Sequence, residues 1–260
     1  MTRPEPKFIL KLAETEAELK AAQRLRYRVF VEELGGAGPL VDHAERLERD
    51  RFDPFFDHML LIDDALKAEP EDRVVGVYRL LRSDAAQKAG QFYSEDEYDL
   101  EVLRTGGRRL LELGRSCLHE SYRGGAAMFH LWNGLADYVA DHRIDVLFGV
   151  ASFHGTDIDA LAQPLSLLHA RHLAPSDLRV RAQPAHFQRM DLIGDAGIDR
   201  RAAMLAMPAL IKAYLRLGGY IGEGAFVDFA FKTVDVWLIL DRDSISTRQK
   251  VLYSGDLLKS

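Results

Sequence analysis

Hydrophobic and polar positions alternate over Phe8–Leu12, the period-two pattern of a half-buried strand. Thr15 and Glu18 then form a capping-box pair, which is a common signal for the start of a helix. Apolar residues recur at helical spacing as far as the Gly35-Gly36 pair, whose flexible backbone ends a helix. The sequence therefore predicts a short strand followed by one long amphipathic helix.

The middle of the chain has longer apolar segments. Segments 59–62, 74–81 and 110–118 are predicted as strands. A helix then reaches His142, with its apolar residues on one stripe. The continuous apolar run 146–153 is typical of a strand buried on both faces, as at the centre of a mixed sheet.

Secondary structure is less clearly indicated over the last hundred residues. A helix is predicted from Thr156 or Asp159 to about His172, and a second one over 208–217, between a proline at its first turn and a glycine after its end. Strands are predicted over 227–231 and 234–240. The chain shows no repeat, low-complexity tract or flexible linker, so a single α/β domain is expected.

Charge is unevenly distributed, although the net charge is only −6. The long polar stretch 42–57 holds six acids against three arginines, a local charge of −3 that suits a cationic ligand. Segment 165–216 holds eight cations against four aspartates, a local charge of +4 that suits an acidic partner or an anionic lipid surface. The negative net charge disfavours non-specific binding to nucleic acid.

Several protein classes are excluded by composition. The single thiol, Cys117, cannot form an internal disulfide, and no Cys and His group has zinc spacing. No apolar run is long enough to cross a bilayer, and the first residues lack the features of a signal peptide. We therefore expect a protein without metal in the reducing cytoplasm, with a buried Cys117.

The most informative unit is the predicted strand 110–118 with the glycine turn and helix that follow it. The turn is Arg123-Gly124-Gly125-Ala126. Backbone N–H groups at the start of a helix can hold a phosphate, assisted by the helix dipole and a nearby arginine. Glycine in such a turn can also serve tight packing alone.

At these residues the sequence resembles the GCN5-related N-acyltransferase (GNAT) superfamily, and more closely the ornithine N-acyltransferases of bacterial ornithine-lipid synthesis. The resemblance spans nearly the whole chain and is carried by the segments 25–31, 112–117, 122–126 and 208–218. It implies a mixed central sheet flanked by helices, with an acyltransferase core at about 8–155 and a C-terminal elaboration at about 156–260. It also implies a 3-hydroxyacyl group donated by acyl carrier protein, with no bound cofactor.

The resemblance also suggests roles for particular residues. Arg123, Gly124, Gly125 and Ala126 would hold the single phosphodiester of the carrier protein's pantetheine arm, because the turn is shorter than in coenzyme A-binding relatives. A second set of positions has spacings similar to those of acyl-homoserine lactone synthases and would bind the amino-acid acceptor: Arg26, Phe30, Glu48, Asp50, Asp53 and Arg79. Gly36 stands where those synthases have a tryptophan, which counts against lactone synthesis.

Glu112 is the predicted general base, since a carboxylate inside an apolar strand must be paired or raised in pKa. Arg115 is its expected ion-pair partner, and His119 and His154 are further base candidates at strand ends. Helix 208–217 carries Lys212 and Arg216 and could form core or rest on the inner membrane.

Three functions remain open at this point. The first is acyl transfer to the α-amine of ornithine, with lysine, glutamine and glycine as other possible acceptors. The second is acyl-homoserine lactone synthesis, and the third is a non-catalytic module that binds acyl carrier protein. Addition of S-adenosylmethionine separates the first two, and an assay for any acylated amine separates both from the third.

Overall fold

A computed structural model describes residues 5–244 of the chain. These residues divide into two compact units, one formed by 5–90 with 113–143 and the other by 91–112 with 144–244. The chain passes from the second unit back to the first within one strand, after Glu112. A single domain with an acyltransferase core at about 8–155 and a C-terminal elaboration at about 156–260 remains a prediction.

The strands follow one another in this order: β1 (Phe8–Leu12), β2 (Asp57–Asp63), β3 (Val74–Arg82), β4 (Tyr98–Asp99), β5 (Leu110–Leu118), β6 (Val146–His154), β7 (Arg181–Ala182), β8 (Phe187–Gln188), β9 (Tyr220–Asp228) and β10 (Thr233–Asp241). The α-helices are α1 (Glu16–Arg26), α2 (Ser83–Ala89), α3 (Glu101–Arg104), α4 (Ala127–Asp141), α5 (Ala162–His172), α6 (Arg200–Ala206) and α7 (Ala209–Arg216).

In the first unit the strand order is β1-β2-β3-β5. Strands β1, β2 and β3 pair antiparallel, and α4 packs against all three. Helix α1 contributes Ala22 and Leu25 to an apolar cluster with Leu60, Val77 and Cys117 of the strands. The buried, apolar position expected for Cys117 is confirmed, and burial raises the pKa of this thiol to about 12.

Helix α1 begins as its sequence predicts. The Thr15 hydroxyl accepts a hydrogen bond from Glu18 N, and the Glu18 carboxylate accepts one from Thr15 N, which completes the capping box. The continuation differs from the prediction, because a π-helical segment, Tyr27–Glu33, follows α1 directly. Seven residues are too few for hydrophobic spacing to separate a π-helix from an α-helix, and π-helical turns occur often at functional sites.

In the second unit the strand order is β5-β6-β10-β9-β7-β4. Strand β6 lies between β5, its parallel neighbour at Leu110 to Glu112, and β10, its antiparallel neighbour along the full length. This confirms the central position predicted for the apolar run. Trp237 of β10 is fully buried and stacks on Phe148 of β6 with ring centroids 4.7 Å apart.

Two element boundaries differ from the prediction. Helix α5 begins only at Ala162, since the Asp157 carboxylate accepts hydrogen bonds from Asp159 N and Ala160 N and holds the preceding residues in a turn. The strand predicted over 227–231 is the end of β9, and Asp228 turns the chain there in the same way. Helices α2, α3 and α6 were not predicted, because each is short.

Candidate active site

Six charged side chains form one ion network in the first unit. Arg26 donates through Nε to Glu48 Oε2 at 2.5 Å and through Nη1 to Asp53 Oδ1 at 2.7 Å. Arg79 Nη1 contacts Asp50 Oδ2 at 2.7 Å and Asp53 Oδ1 at 2.8 Å. Arg115 Nε contacts Glu48 Oε1 at 3.1 Å, and its Nη2 lies 3.8 Å from Asp50 Oδ2. Three arginines thus face three carboxylates.

The network is buried at its centre and reaches solvent at one end. The side chains of Arg26 and Arg79 are 0% exposed and those of Glu48 and Asp53 are 3% and 4% exposed, whereas Arg115 reaches 15% and Asp50 20%. Asp50 and Arg115 are therefore the members that a small ligand can touch.

The arginines keep the buried acids ionised. Burial alone would raise the pKa of Glu48, but the charges of Arg115 and Arg26 outweigh it and lower that pKa to about 2. Burial likewise opposes ionisation of Asp53, and the charges of Arg26 and Arg79 hold its pKa well below the usual range. For Arg26 the desolvation cost is exceeded by Glu48 and Asp53, and its pKa is raised.

Aromatic rings and a strained backbone fix the arginine positions. The Arg79 guanidinium lies 4.2 Å from the centroid of the Phe56 ring, and that of Arg115 lies 5.7 Å from the centroid of Phe30 in the π-helical segment. Arg115 has a φ of +51° in the middle of β5. Such a conformation in a non-glycine residue costs about 1–3 kcal/mol and occurs often at ligand sites.

The structure thus brings all six predicted acceptor-binding residues into one region, together with Arg115. It also changes what they can do, because Glu48 and Asp53 are already neutralised by buried arginines. The acidic segment does not present a set of open carboxylates.

Glu112 is 1% exposed and belongs to the second unit. Its Oε2 accepts a hydrogen bond from Tyr93 N at 2.7 Å, and its Oε1 accepts one from Ser94 N at 2.9 Å and another from the Ser94 hydroxyl. These donors satisfy the buried carboxylate. The Arg115 side chain, expected as its partner, makes the contacts with Glu48 and Asp50 described above.

The two candidate histidines lie at strand ends, as predicted. His119 follows β5 and accepts a hydrogen bond from Ser121 N through Nδ1 at 3.2 Å, so that its Nε2 is the protonated nitrogen in the neutral form. His154 is the exposed last residue of β6. Each has the accessibility that a proton carrier needs.

The Arg123 turn leads directly into α4. Gly124 has a φ of +76°, which glycine adopts without strain. Ala126, the N-cap residue of α4, makes no side-chain cap hydrogen bond, and the N–H groups of a helix's first turn have no partner within the helix. Arg123 donates to Glu33 Oε2 at 2.6 Å and to Leu118 O at 3.1 Å, which fixes its side chain beside the turn.

A pocket of about 340 Å³ opens beside this turn within the first unit. Its walls combine backbone of the turn with aromatic and charged side chains of neighbouring segments: Glu5, Phe8, Tyr122, Arg123, Gly125, Ala126 and His130. Phe8 lies with its ring centroid 5.0 Å from His130 and 5.9 Å from Tyr122. The pocket is large enough for part of an extended acyl-carrier arm.

Two residues that contact the network were missed from the sequence. Gln23 Nε2 donates to Asp53 Oδ2 at 2.9 Å, and His58 Nε2 lies 3.0 Å from Asp53 O. Burial lowers the pKa of His58 to about 4, so its ring is neutral beside the network. Gln23 stands three residues before Arg26 on the same helical face, a signal that could have identified it. His58 carried no such signal.

Within residues 5–244, no group of three or more His, Cys, Asp and Glu side chains could hold a metal ion. Over the same residues, no helix is long and apolar enough to cross a membrane.

Comparisons with known proteins agree with one another. A family model for an acetyltransferase (GNAT) domain matches residues 25–133. An L-ornithine N(alpha)-acyltransferase of Rhodobacter capsulatus is 61% identical over 247 residues, covering 95% of each chain. A protein of the same name from Brucella abortus is 45% identical over 249 residues, covering 95% of this chain and 89% of that one.

Two solved structures share the fold at low sequence identity. FeeM, an N-acyl amino acid synthase from uncultured soil microbes, gives a TM-score of 0.50 at 12% identity, covering 94% of this chain and 98% of that chain. The acyl-homoserine lactone synthase LasI gives a TM-score of 0.50 at 15% identity, covering 96% of each. The mixed α/β fold expected from the sequence is confirmed.

Proposed function

The chain belongs to the L-ornithine N(alpha)-acyltransferase family, and we propose that it moves a 3-hydroxyacyl group from acyl carrier protein to the α-amine of ornithine. It is an acyltransferase of the GNAT fold. The observation that carries the ornithine assignment is the 61% identity that extends over 95% of both chains. The proposed donor is supported by the short turn before α4 and by the pocket beside it.

Acceptor binding is proposed at the exposed end of the ion network. Asp50 would receive an ammonium group of ornithine, since it is the network carboxylate with most exposed surface. Arg115 would receive the α-carboxylate, because its guanidinium is the exposed cation of the same cluster. The buried members of the network would be positioning residues that hold Asp50 and Arg115 in place: Arg26, Glu48, Asp53 and Arg79. The Phe30 ring would support the Arg115 guanidinium.

Donor binding is proposed at the turn before α4. The first-turn N–H groups and Gly125 would hold the phosphodiester of the phosphopantetheine arm, with the helix dipole adding attraction. Arg123 adds a cation, although its pair with Glu33 reduces the local positive charge. A single phosphodiester needs fewer donors than a pyrophosphate, which favours acyl carrier protein over coenzyme A.

The chemistry is a direct transfer. The ornithine ammonium loses a proton to a base, and the free amine attacks the thioester carbonyl carbon. The carbon–sulfur bond breaks, the amide bond forms, and the pantetheine sulfur leaves as a thiol after taking up a proton. Backbone N–H groups are expected to stabilise the oxyanion that develops on the carbonyl oxygen. The products are an N-acylated ornithine and free carrier protein.

Glu112 remains the predicted base, with His119 and His154 as the other candidates. Its three hydrogen bonds support a second role, in which it anchors residues 93–94 to β5. Glu112→Gln separates the two roles. Loss of a base lowers kcat about 100-fold or more and removes the acidic limb of the pH–rate profile, whereas loss of an anchor mainly lowers the melting temperature. His119→Gln and His154→Gln serve as matched comparisons.

Purified protein incubated with 3-hydroxyacyl carrier protein and ornithine tests the proposal by mass spectrometry of the product. Acyl-coenzyme A as donor, and lysine, glutamine and glycine as acceptors, define the specificity. Lactone formed on adding S-adenosylmethionine would support the synthase alternative. Binding of acyl carrier protein without acylation of any amine would support the binding module and refute the proposal. Peripheral contact with the inner membrane, on the cytoplasmic side, also remains a prediction.

A further inference from the structure

Helix α7 was the sequence-based candidate for membrane contact, but its apolar side faces inward. Ile211 is 0% exposed, and Tyr214 and Leu217 are 5% exposed each. These residues belong to the core of the second unit. The apolar side of α7 therefore cannot enter a membrane while the unit stays folded.

The neighbouring helix α6, in contrast, exposes its largest apolar side chains to solvent. Leu205 is 74% exposed and Met204 38% exposed, while Ala203 is fully buried. At 100° per residue, Leu205 lies on nearly the opposite side of the helix from Ala203. The helix thus directs its largest apolar side chain straight into solvent. An exposed leucine on one short helix has no packing role within the unit.

Cations surround these apolar side chains. Arg200 precedes Met204 by four residues and Arg201 precedes Leu205 by four, so each arginine lies next to one apolar residue on the helix surface. Lys212 adds a third cation, because its ammonium donates to Met204 O at 3.3 Å. We name Arg200, Arg201, Met204, Leu205 and Lys212 the α6 patch.

Among the described residues, several other cations of the basic segment have a carboxylate partner, unlike the arginines of the α6 patch. Arg171 is paired with Asp195 and Arg189 with Asp191. Over residues 5–244, Arg200 and Arg201 make no ion pair with a carboxylate, and the nearby Asp199 uses its carboxylate to accept hydrogen bonds from backbone N–H groups of α6. Part of the excess positive charge predicted for this half of the chain therefore lies at α6 without a carboxylate partner in the described part of the chain.

We propose that the α6 patch binds the surface of an anionic phospholipid bilayer. Leu205 and Met204 enter the boundary between headgroups and acyl chains, and the three cations contact lipid phosphates. The choice of a bilayer rests on the proposed function, since an ornithine with one long acyl chain is amphiphilic and leaves most readily into a membrane. The strong exposure of Leu205 also fits insertion into lipid better than contact with a polar protein surface.

Vesicle binding tests this inference. Full-length protein is titrated with vesicles of phosphatidylglycerol and phosphatidylcholine in equal parts, and with phosphatidylcholine alone, in a flotation assay. Each cation near an anionic surface contributes about fivefold to binding, so Arg200→Gln with Arg201→Gln should weaken it about 30-fold. Leu205→Ser should weaken it about tenfold or more through lost apolar burial. The control, Lys20→Gln with Lys88→Gln, changes the net charge equally at exposed sites of the first unit.

The outcomes separate this inference from the proposed function. Acyl transfer in solution without vesicles should be the same for the α6 variants and the unaltered protein. Vesicle binding that is absent, that is unchanged in the α6 variants, or that does not require anionic lipid would overturn the bilayer proposal and leave the acyltransferase standing. If the α6 variants lose affinity for acyl carrier protein while their vesicle binding is unchanged, the bilayer proposal is overturned and the α6 patch is a binding site for the carrier protein. Failure to acylate ornithine would refute the proposed function whatever the vesicles show.

Discussion

Replacing Glu48 by glutamine tests whether the buried ion network stabilises the fold as its geometry implies. Glu48 is almost fully buried and bridges Arg26 and Arg115. Glutamine keeps the shape of the Glu48 side chain but removes its negative charge. It also places an amide N–H₂ group where one of the two arginines needs a hydrogen-bond acceptor. One guanidinium is then left with an unsatisfied donor, and the network with an excess positive charge.

The magnitude follows from the pKa of Glu48. That pKa falls from 4.5 to about 2 on folding, and each tenfold change in proton affinity is worth about 1.4 kcal/mol. The charged form therefore contributes about 3 kcal/mol to the free energy of unfolding at neutral pH. Because the folded pKa is the lower one, this contribution is complete above about pH 5 and is lost as the pH falls from 4.5 toward 2.

Urea unfolding of both proteins measures the effect. At pH 7 we expect Glu48→Gln to lower the free energy of unfolding by about 3 kcal/mol, and at about pH 3 by only 1–2 kcal/mol. Glu32→Gln is the matched control, since Glu32 pairs with Arg46 at the surface and should contribute less than about 1 kcal/mol. A loss no larger than that of the control, or one independent of pH, would refute this account of the network.

Three further predictions concern packing, the thiol and the donor turn. Gly134→Ala should destabilise the protein by about 1–3 kcal/mol in urea, because a Cβ there would lie 1.8 Å from Leu10 Cδ2, whereas Ala136→Ser on the exposed side of α4 should change little. Cys117 should react with a thiol reagent at about pH 8 only after unfolding, since burial raises its pKa to about 12, and rapid labelling of the folded protein would contradict this. Arg123→Gln should raise KM for the acyl donor several-fold with less effect on kcat, and an unchanged KM would remove the turn from the donor site.

Elements with strong local signals were predicted well. Strand β5 has the predicted bounds, Leu110–Leu118. Strand β6 was placed at the centre of a sheet because its residues form a continuous apolar run, and its two neighbours confirm this. The start of α1 followed from its capping box. These features depend on residues within a few positions of one another, and the sequence shows such relations directly.

Relations between distant segments were not predictable. Arg115 meets Glu48 although 67 residues separate them, and the donors to Glu112 stand 18 and 19 residues before it. The spacing of apolar residues carries no information on such pairs. The resemblance to a known family identified the members of the network. The spacing of Arg26 and Phe30 also favoured a pair between Arg26 and the acidic segment, and that pair is confirmed. Neither signal showed that Arg79 and Arg115 hold the same acids.

This pairing changes the meaning of the acidic segment. Its local charge of −3 suggested an open site for a cation, yet three arginines from α1, β3 and β5 balance three of its acids. Asp57, another acid of this segment, is paired with Arg82. Attraction of a diamino acid therefore cannot come from the summed charge of the segment. It must depend on Asp50, whose exposed surface is limited, and on the fixed position that Arg79 and Arg115 give to it. Selectivity for ornithine over a neutral amino acid would then rest on the geometry of one carboxylate, which a count of charges along the sequence does not measure.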